Sequence, residues 1–148
     1  MLLEIKTDIQ VLKTPDVVFE SIVDPSIMSN YFISKGSARM EEGKIIQWKF
    51  PEFDIEFPIR VGKVLKNKYI SYYWEVDQIE LLVEITLIPV ADNATMVTVT
   101  EKSRIADEAG ITWLKRNTEG WANFLACLKC YCEYGINLRK GAFDYLKK

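Results

Sequence analysis

Histidine is absent from the 148 residues. Its absence removes the side chain that most often serves as a general base near neutral pH, the commonest metal ligand, and every Ser-His or Cys-His nucleophilic pair. Any catalysis here would rest on carboxylates, Lys, Tyr or Cys. Cysteine is scarce and odd in number, three in all. With no charged-then-apolar leader pattern at the start, the expectation is free thiols in a reducing cytoplasm. No apolar run approaches the roughly 20 residues of a membrane-spanning helix. An excess of one charge is missing too: 19 Lys and Arg stand against 21 Asp and Glu, a net of -2, and the two signs are interspersed. That speaks against nucleic acid as a partner. No cofactor or metal is expected.

What is present is alternation followed by one long helical pattern. Leu3, Ile5, Thr7, Ile9 and Val11 alternate with polar residues, as in a strand with one buried face. Thr14-Pro15 opens a short helix carrying Val18, Phe19, Ile22 and Val23, and Asp24-Pro25 ends it. A second short helix is expected from Ser26, carrying Ile27, Met28, Tyr31 and Phe32. Period-two runs then follow around Ile46-Trp48-Phe50, Ile55–Val61, Tyr69–Val76, Leu81–Leu87 and Thr95–Lys102, with Pro58 marking an edge or a bulge. From Asn117 to Tyr134 the period becomes helical. Leu114, Asn117, Trp121, Phe124, Leu125, Leu128 and Cys132 share one stripe, opposite Arg116, Glu119, Asn123 and Cys130. The reading is a single α+β domain over 1–148, with a core at 1–135 and an extension at 136–148. A curved antiparallel sheet of six to seven strands wraps one long C-terminal helix.

Three elements carry a family resemblance. Pro15-Asp16-Val17-Val18-Phe19, followed by Asp24-Pro25 and Tyr31-Phe32, matches a helix pair. Glu119-Gly120-Trp121, followed by Leu125, Leu128-Lys129 and Gly135, matches a C-terminal helix signature, and the strand order between them agrees. Together they resemble the START-like (SRPBCC, Bet v 1-type) superfamily, in its branch of Hsp-90 ATPase activator homologues. The resemblance implies a helix-grip fold, often with an apolar pocket between sheet and helix. It also implies a lipid or other apolar small molecule as ligand, or a chaperone as partner. It transfers no catalytic residue.

The expected ligand-binding set is Trp48, Phe50, Phe57, Tyr72, Trp74, Glu101, Trp121, Phe124, Leu125 and Leu128, with a solid packed core as the alternative for its aromatic members. Gly120 within a helix costs about 1 kcal/mol relative to Ala. Close approach of helix to sheet, a slight kink beside Trp121, or a widened cavity mouth would account for it. Glu101 falls in phase with Val97 and Val99, which points its carboxylate at the helix side. A charge there needs a partner such as Arg60 or Arg39, a raised pKa, or water at a frayed strand end. An enzyme using Glu101 or a buried Tyr as acid or base is the weaker reading, and a binding domain is favoured over an enzyme. Cys127, Cys130 and Cys132 spell C-x-x-C-x-C, but helical geometry splays their sulfurs apart, with Cys132 the expected core member. Lys129 and Glu133 read as a surface i,i+4 pair. The apolar residues of 136–148 read as a helix docking on its own domain, a homodimer contact, or a lid.

Overall fold

The computed structural model describes residues 1–147. Lys148, the last residue of the extension, lies outside the described residues. The elements run β1 (Leu2–Val11), α1 (Pro15–Val23), α2 (Pro25–Met28), β2 (Lys35–Gly36), β3 (Ile45–Lys49), β4 (Glu56–Leu65), β5 (Tyr69–Val76), β6 (Ile79–Ala91), β7 (Ala94–Ile105) and α3 (Glu108–Tyr134), then a one-turn 3-10 helix at Asp144–Leu146. Seven antiparallel strands form one sheet in the order β1-β7-β6-β5-β4-β3-β2. The helix α3 lies across β1 and β7, and α1 fills the space beside it. This is the helix-grip arrangement that the resemblance implied. Among the described residues no helix is long and apolar enough to cross a membrane.

The alternation in sequence becomes the inner face of the sheet. Ile5 and Val11 of β1, Ile59 and Val61 of β4, Ile70 and Tyr72 of β5, Leu81, Val83 and Ile85 of β6, and Val97 and Val99 of β7 are all buried. Against them stand Trp113, Trp121, Phe124, Leu125, Cys127 and Leu128 of α3. Burial of each of the larger side chains contributes about 1.5–3 kcal/mol. The segment after α2 closes the core from the side: Tyr31 donates its hydroxyl to the Ser21 carbonyl at 2.7 Å, and Phe32 packs edge-on against Phe124 with centroids 4.7 Å apart.

Three boundaries differ from the sequence reading. The long helix begins at Glu108, where Asp107 caps it by accepting from the Gly110 N–H at 2.7 Å. Its first turns carry few buried residues, so their apolar period is weak. The second helix is one turn, and Tyr31 and Phe32 follow it in a turn rather than extending it. A two-residue strand, β2, pairs with β3 through Lys35 and Gly36. Pro58 sits inside β4, paired with Gln47 of β3, at a level where β4 has no partner on its β5 side. There its missing N–H leaves no ladder bond unmade.

Gly110 fixes how α3 meets the sheet. A Cβ there would lie 2.0 Å from the backbone carbonyl oxygen of Ile105, a contact that no side-chain rotation relieves. Helix propensity alone would make Gly110→Ala stabilising by about 1 kcal/mol. We expect the opposite sign, a loss of about 1–3 kcal/mol from overpacking, read as a lowered urea midpoint at unchanged slope.

Candidate functional site

Glu101 lies in the middle of β7, paired with Ile5 of β1 and Val83 of β6, and is 0 % exposed. The expectation of a frayed end in water is therefore corrected: β7 continues to Ile105 and β1 covers its outer edge. Neither Arg60 nor Arg39 reaches it, since these pair with Glu80 and Glu20. Its partners are three neutral donors. The Trp74 indole N–H donates to Oε2 at 2.7 Å, and the Trp113 indole N–H and the Asn117 amide donate to Oε1 at 3.0 and 2.8 Å. Trp74 comes from β5, Trp113 and Asn117 from adjacent turns of α3. The carboxylate thus ties helix to sheet by hydrogen bonds, and hydrogen-bonding to the charged form is what makes such burial tolerable.

In front of this cluster is a pocket of about 410 Å³. It opens where two strands part. The β4–β5 ladder runs from Leu65↔Tyr69 to Arg60↔Tyr73. Beyond that level Glu56 to Ile59 pair only with β3, and Trp74 to Val76 only with β6. Phe57 on one side and Trp74, Glu75 and Val76 on the other line the gap, and Phe50 and Phe53 come from the β3–β4 connection. Asn117, Gly120 and Trp121 of α3 form the facing wall, with Phe32 and Arg139 closing the end. The rings pack on one another: Trp74 and Trp121 at 5.8 Å between centroids, Phe50 and Phe57 at 5.6 Å, Phe32 and Phe50 at 5.1 Å. The volume falls within the range of about 300–1,000 Å³ usual for small-molecule sites, and a mostly apolar lining with a few polar groups is their usual chemistry.

The model of the family described as Activator of Hsp90 ATPase homolog 1-like protein matches residues 13–133. The chain belongs to this family. Among solved structures, protein SSP2350 from Staphylococcus saprophyticus is 31% identical with a TM-score of 0.82, covering 93% of this chain and 96% of that one. The Aha1 dimer from Colwellia psychrerythraea, at 18% identity and TM-score 0.77, covers 90% of this chain and 98% of that one and shares the fold. DynU16, a protein in the dynemicin biosynthetic locus, is 24% identical with TM-score 0.79. It matches over 90% of this chain and 48% of its own, so this chain spans about half of it. The comparison with curated proteins found no match.

In this member of the activator-homologue family the expected ligand-binding residues divide in two. Phe50, Phe57, Trp74 and Trp121 line the pocket. Trp48, Tyr72, Phe124, Leu125 and Leu128 are packed behind it in the core, and Glu101 stands behind Trp74 and Asn117. Phe32, Phe53, Glu75, Val76, Asn117, Gly120 and Arg139 are the lining residues that the aromatic pattern did not single out as binding. Of these, Gly120 carried a signal, a glycine inside a helix. A Cβ there meets nothing within 4 Å, so the close-approach explanation is excluded and the residue stands at the pocket wall.

Other chemical-looking features resolve as structure. Cys127 is the buried cysteine and Cys130 and Cys132 are half-buried. Burial pushes the thiols of Cys127 and Cys132 up, which keeps them protonated and poorly nucleophilic. Among the described residues no group of His, Cys, Asp or Glu is arranged to hold a metal. Lys129 and Glu133 are more than a surface pair. Lys129 also donates to the Gln10 carbonyl and Glu133 accepts from the Leu12 N–H, so the pair fastens α3 to the end of β1.

Two substitutions in this core should move stability in opposite directions. In Glu101→Gln an amide nitrogen must face at least one indole or amide donor. We expect a loss of about 1.5–3 kcal/mol in urea unfolding, the worth of a hydrogen bond to a charged group. Tyr72 is 0 % exposed and, among the described residues, its hydroxyl has no partner. Tyr72→Phe should therefore be neutral or stabilising by about 1 kcal/mol at pH 7. Burial, with the Glu101 charge nearby, holds the Tyr72 phenol well above its ordinary value. Below pH ~10 both folded and unfolded states keep the proton; above it the unfolded chain releases the proton first, so stability falls as pH rises. Tyr72→Phe should flatten that alkaline fall in a series of urea midpoints.

Proposed function

We propose that this domain binds a small aromatic or otherwise apolar molecule in the pocket between the parted strands β4 and β5 and the helix α3. The observation that carries the reading is Gly120. A residue unfavourable in a helix by about 1 kcal/mol stands exposed at the open mouth of the pocket, with no atom within 4 Å of where a Cβ would lie. The pocket is walled by side chains held by other contacts, Trp74 and Asn117 by Glu101 and Phe32 by Phe124, so it is formed before any ligand arrives. Glu101 has its two oxygens occupied and does not line the pocket, which favours binding over acid-base catalysis. A chaperone-regulating role, a homodimeric assembly and a cytoplasmic setting rest on the family description and on the Aha1 dimer neighbour.

The test uses Gly120→Leu. Replacing Gly by a strong helix former should raise stability by about 0.5–1 kcal/mol, while the new side chain occupies the pocket. Titration of fatty acids, sterols and fused aromatic compounds against Trp fluorescence should show binding to the natural chain and at least about tenfold weaker binding to the variant. Absence of any response from the natural chain across the panel, checked by calorimetry, would remove the reading.

A further inference from the structure

The segment after α3 is joined to the rest of the domain chiefly by one side chain. Gly135 ends the helix with a left-handed φ of 66°, and nothing lies within 4 Å of where its Cβ would be. Among the described residues the backbone hydrogen bonds of 136–147 run within the segment itself, as turns such as Ala142 N–H to the Arg139 carbonyl and Leu146 N–H to the Phe143 carbonyl. Ile136, Leu138, Tyr145 and Leu146 stay exposed, and among the described residues no apolar side chain of the segment joins the core. What crosses to the body is Arg139. It donates from Nη2 to the Glu52 carboxylate, the two side chains being 15% and 3% exposed. Its guanidinium lies 5.6 Å from the Phe32 centroid and 5.7 Å from Phe50, over rings that attract a cation. A segment with little apolar burial and only turn hydrogen bonds opens locally, ahead of global unfolding. The ion pair opposes that opening only in part, because both charges regain the water that sheltering removed.

Arg139 also separates two cavities. The pocket of about 410 Å³ and a second cavity of about 260 Å³ share two lining residues, Phe32 and Arg139. The second lies between Asn137, Lys140 and Asp144 of the segment and Ser29, Ser34 and Glu52 of the body. Phe32 is fixed, edge-on to Trp48 at 5.9 Å and to Phe124 at 4.7 Å. Arg139, held from a segment without core contacts, is the movable half of the partition. We infer that residues 136–147 form a strap latched by the Arg139–Glu52 pair, and that release of this latch joins the two cavities into one elongated site. The inference rests on the pocket-binding reading given above and adds the regulation of that site. Latched, the pocket takes compact molecules. Released, it takes one whose tail runs on past Phe32, over the ring faces of Phe32 and Phe50 that the guanidinium has left. An elongated ligand therefore binds the open form better and shifts the strap toward it, whereas a compact one makes no such distinction.

The test uses two neutral fluorescent probes with one head group, N-ethyl-1-naphthylamine and N-decyl-1-naphthylamine, and an arginine-specific protease that cleaves after Arg139 only when the strap is lifted. When opening and closing are fast, the cleavage rate reports the population of the open form. In the natural chain, saturating decyl probe should raise the rate of cleavage after Arg139 about tenfold, and ethyl probe should leave it unchanged. Cleavage after Arg39, Arg60, Arg104 and Arg116, followed by mass spectrometry in the same digest, should not rise with either probe. In Arg139→Ala the affinity ratio of decyl to ethyl probe should exceed that of the natural chain by about tenfold, since the tail no longer has to displace the partition. The double variant Glu52→Gln/Arg139→Ala, which leaves no unpaired buried carboxylate, should give the same ratio, and it decides if the single variant does not fold by circular dichroism. Cleavage after Arg139 that is unchanged or slowed by the decyl probe would overturn the strap while ethyl-probe binding keeps the pocket reading standing. An affinity ratio equal to that of the natural chain in the folded variants would do the same. Failure of both probes to bind would remove both readings.

Discussion

The arrangement of this domain depends on one buried carboxylate. Glu101 gives up bulk water in the centre of the sheet and recovers three hydrogen bonds, from the indoles of Trp74 and Trp113 and the amide of Asn117. A buried charge with a partial set of partners destabilises a fold, whereas one whose lone pairs are met from several directions fixes the groups that meet them. Here the donors come from a strand and from adjacent turns of the long helix, so satisfying the charge sets both the rotation of α3 and its height over β5. Apolar packing alone is non-directional and would tolerate small slips of that helix. The hydrogen bonds do not.

The same cluster explains how an apolar pocket stays open beside a densely packed core. Trp74 and Asn117 are held from behind by Glu101, so they form a stiff rear wall instead of collapsing into the gap. The gap itself begins where the β4–β5 ladder stops at Arg60↔Tyr73, beside Pro58, which has no N–H to extend a ladder. Gly120 then leaves space on the helix side. Solid core and lined cavity were alternatives in the sequence, and the molecule has both, divided along its length. Trp48, Tyr72, Phe124, Leu125 and Leu128 fill the inside, and Phe50, Phe57, Trp74 and Trp121 face the opening.

What could be read from the sequence follows from which signals are periodic. Strand alternation and the helical stripe from Leu114 to Cys132 specify a sheet gripping a helix, because a period of two or 3.6 states which face is buried. In-phase alternation also placed Glu101 on the inner face. Trp74 and Asn117 stood on the expected inner faces, but their pairing with Glu101, and Trp113 itself, were not legible for two reasons. Trp113 lies in a stretch of helix with little apolar period, and its contact crosses 12 residues of chain; Trp74 reaches Glu101 across 27. Arg60 and Arg39 are not the partners because neutral indole and amide donors serve a carboxylate as well as a cation does. Gly120 was legible as an anomaly in composition. The open surroundings of its Cα then exclude crowding.

The closing wall of the pocket has a different origin from the rest. The family match ends at residue 133, and Arg139 lies beyond it, in a segment most of whose apolar residues stay exposed. That segment has little apolar burial to hold it, and its sheltered ionic attachment is Arg139 to Glu52. The family region therefore supplies most of the apolar chamber, whose walls are rings of Phe32, Phe50, Phe57, Trp74 and Trp121. The chain following α3 supplies Arg139, which closes one end of that chamber.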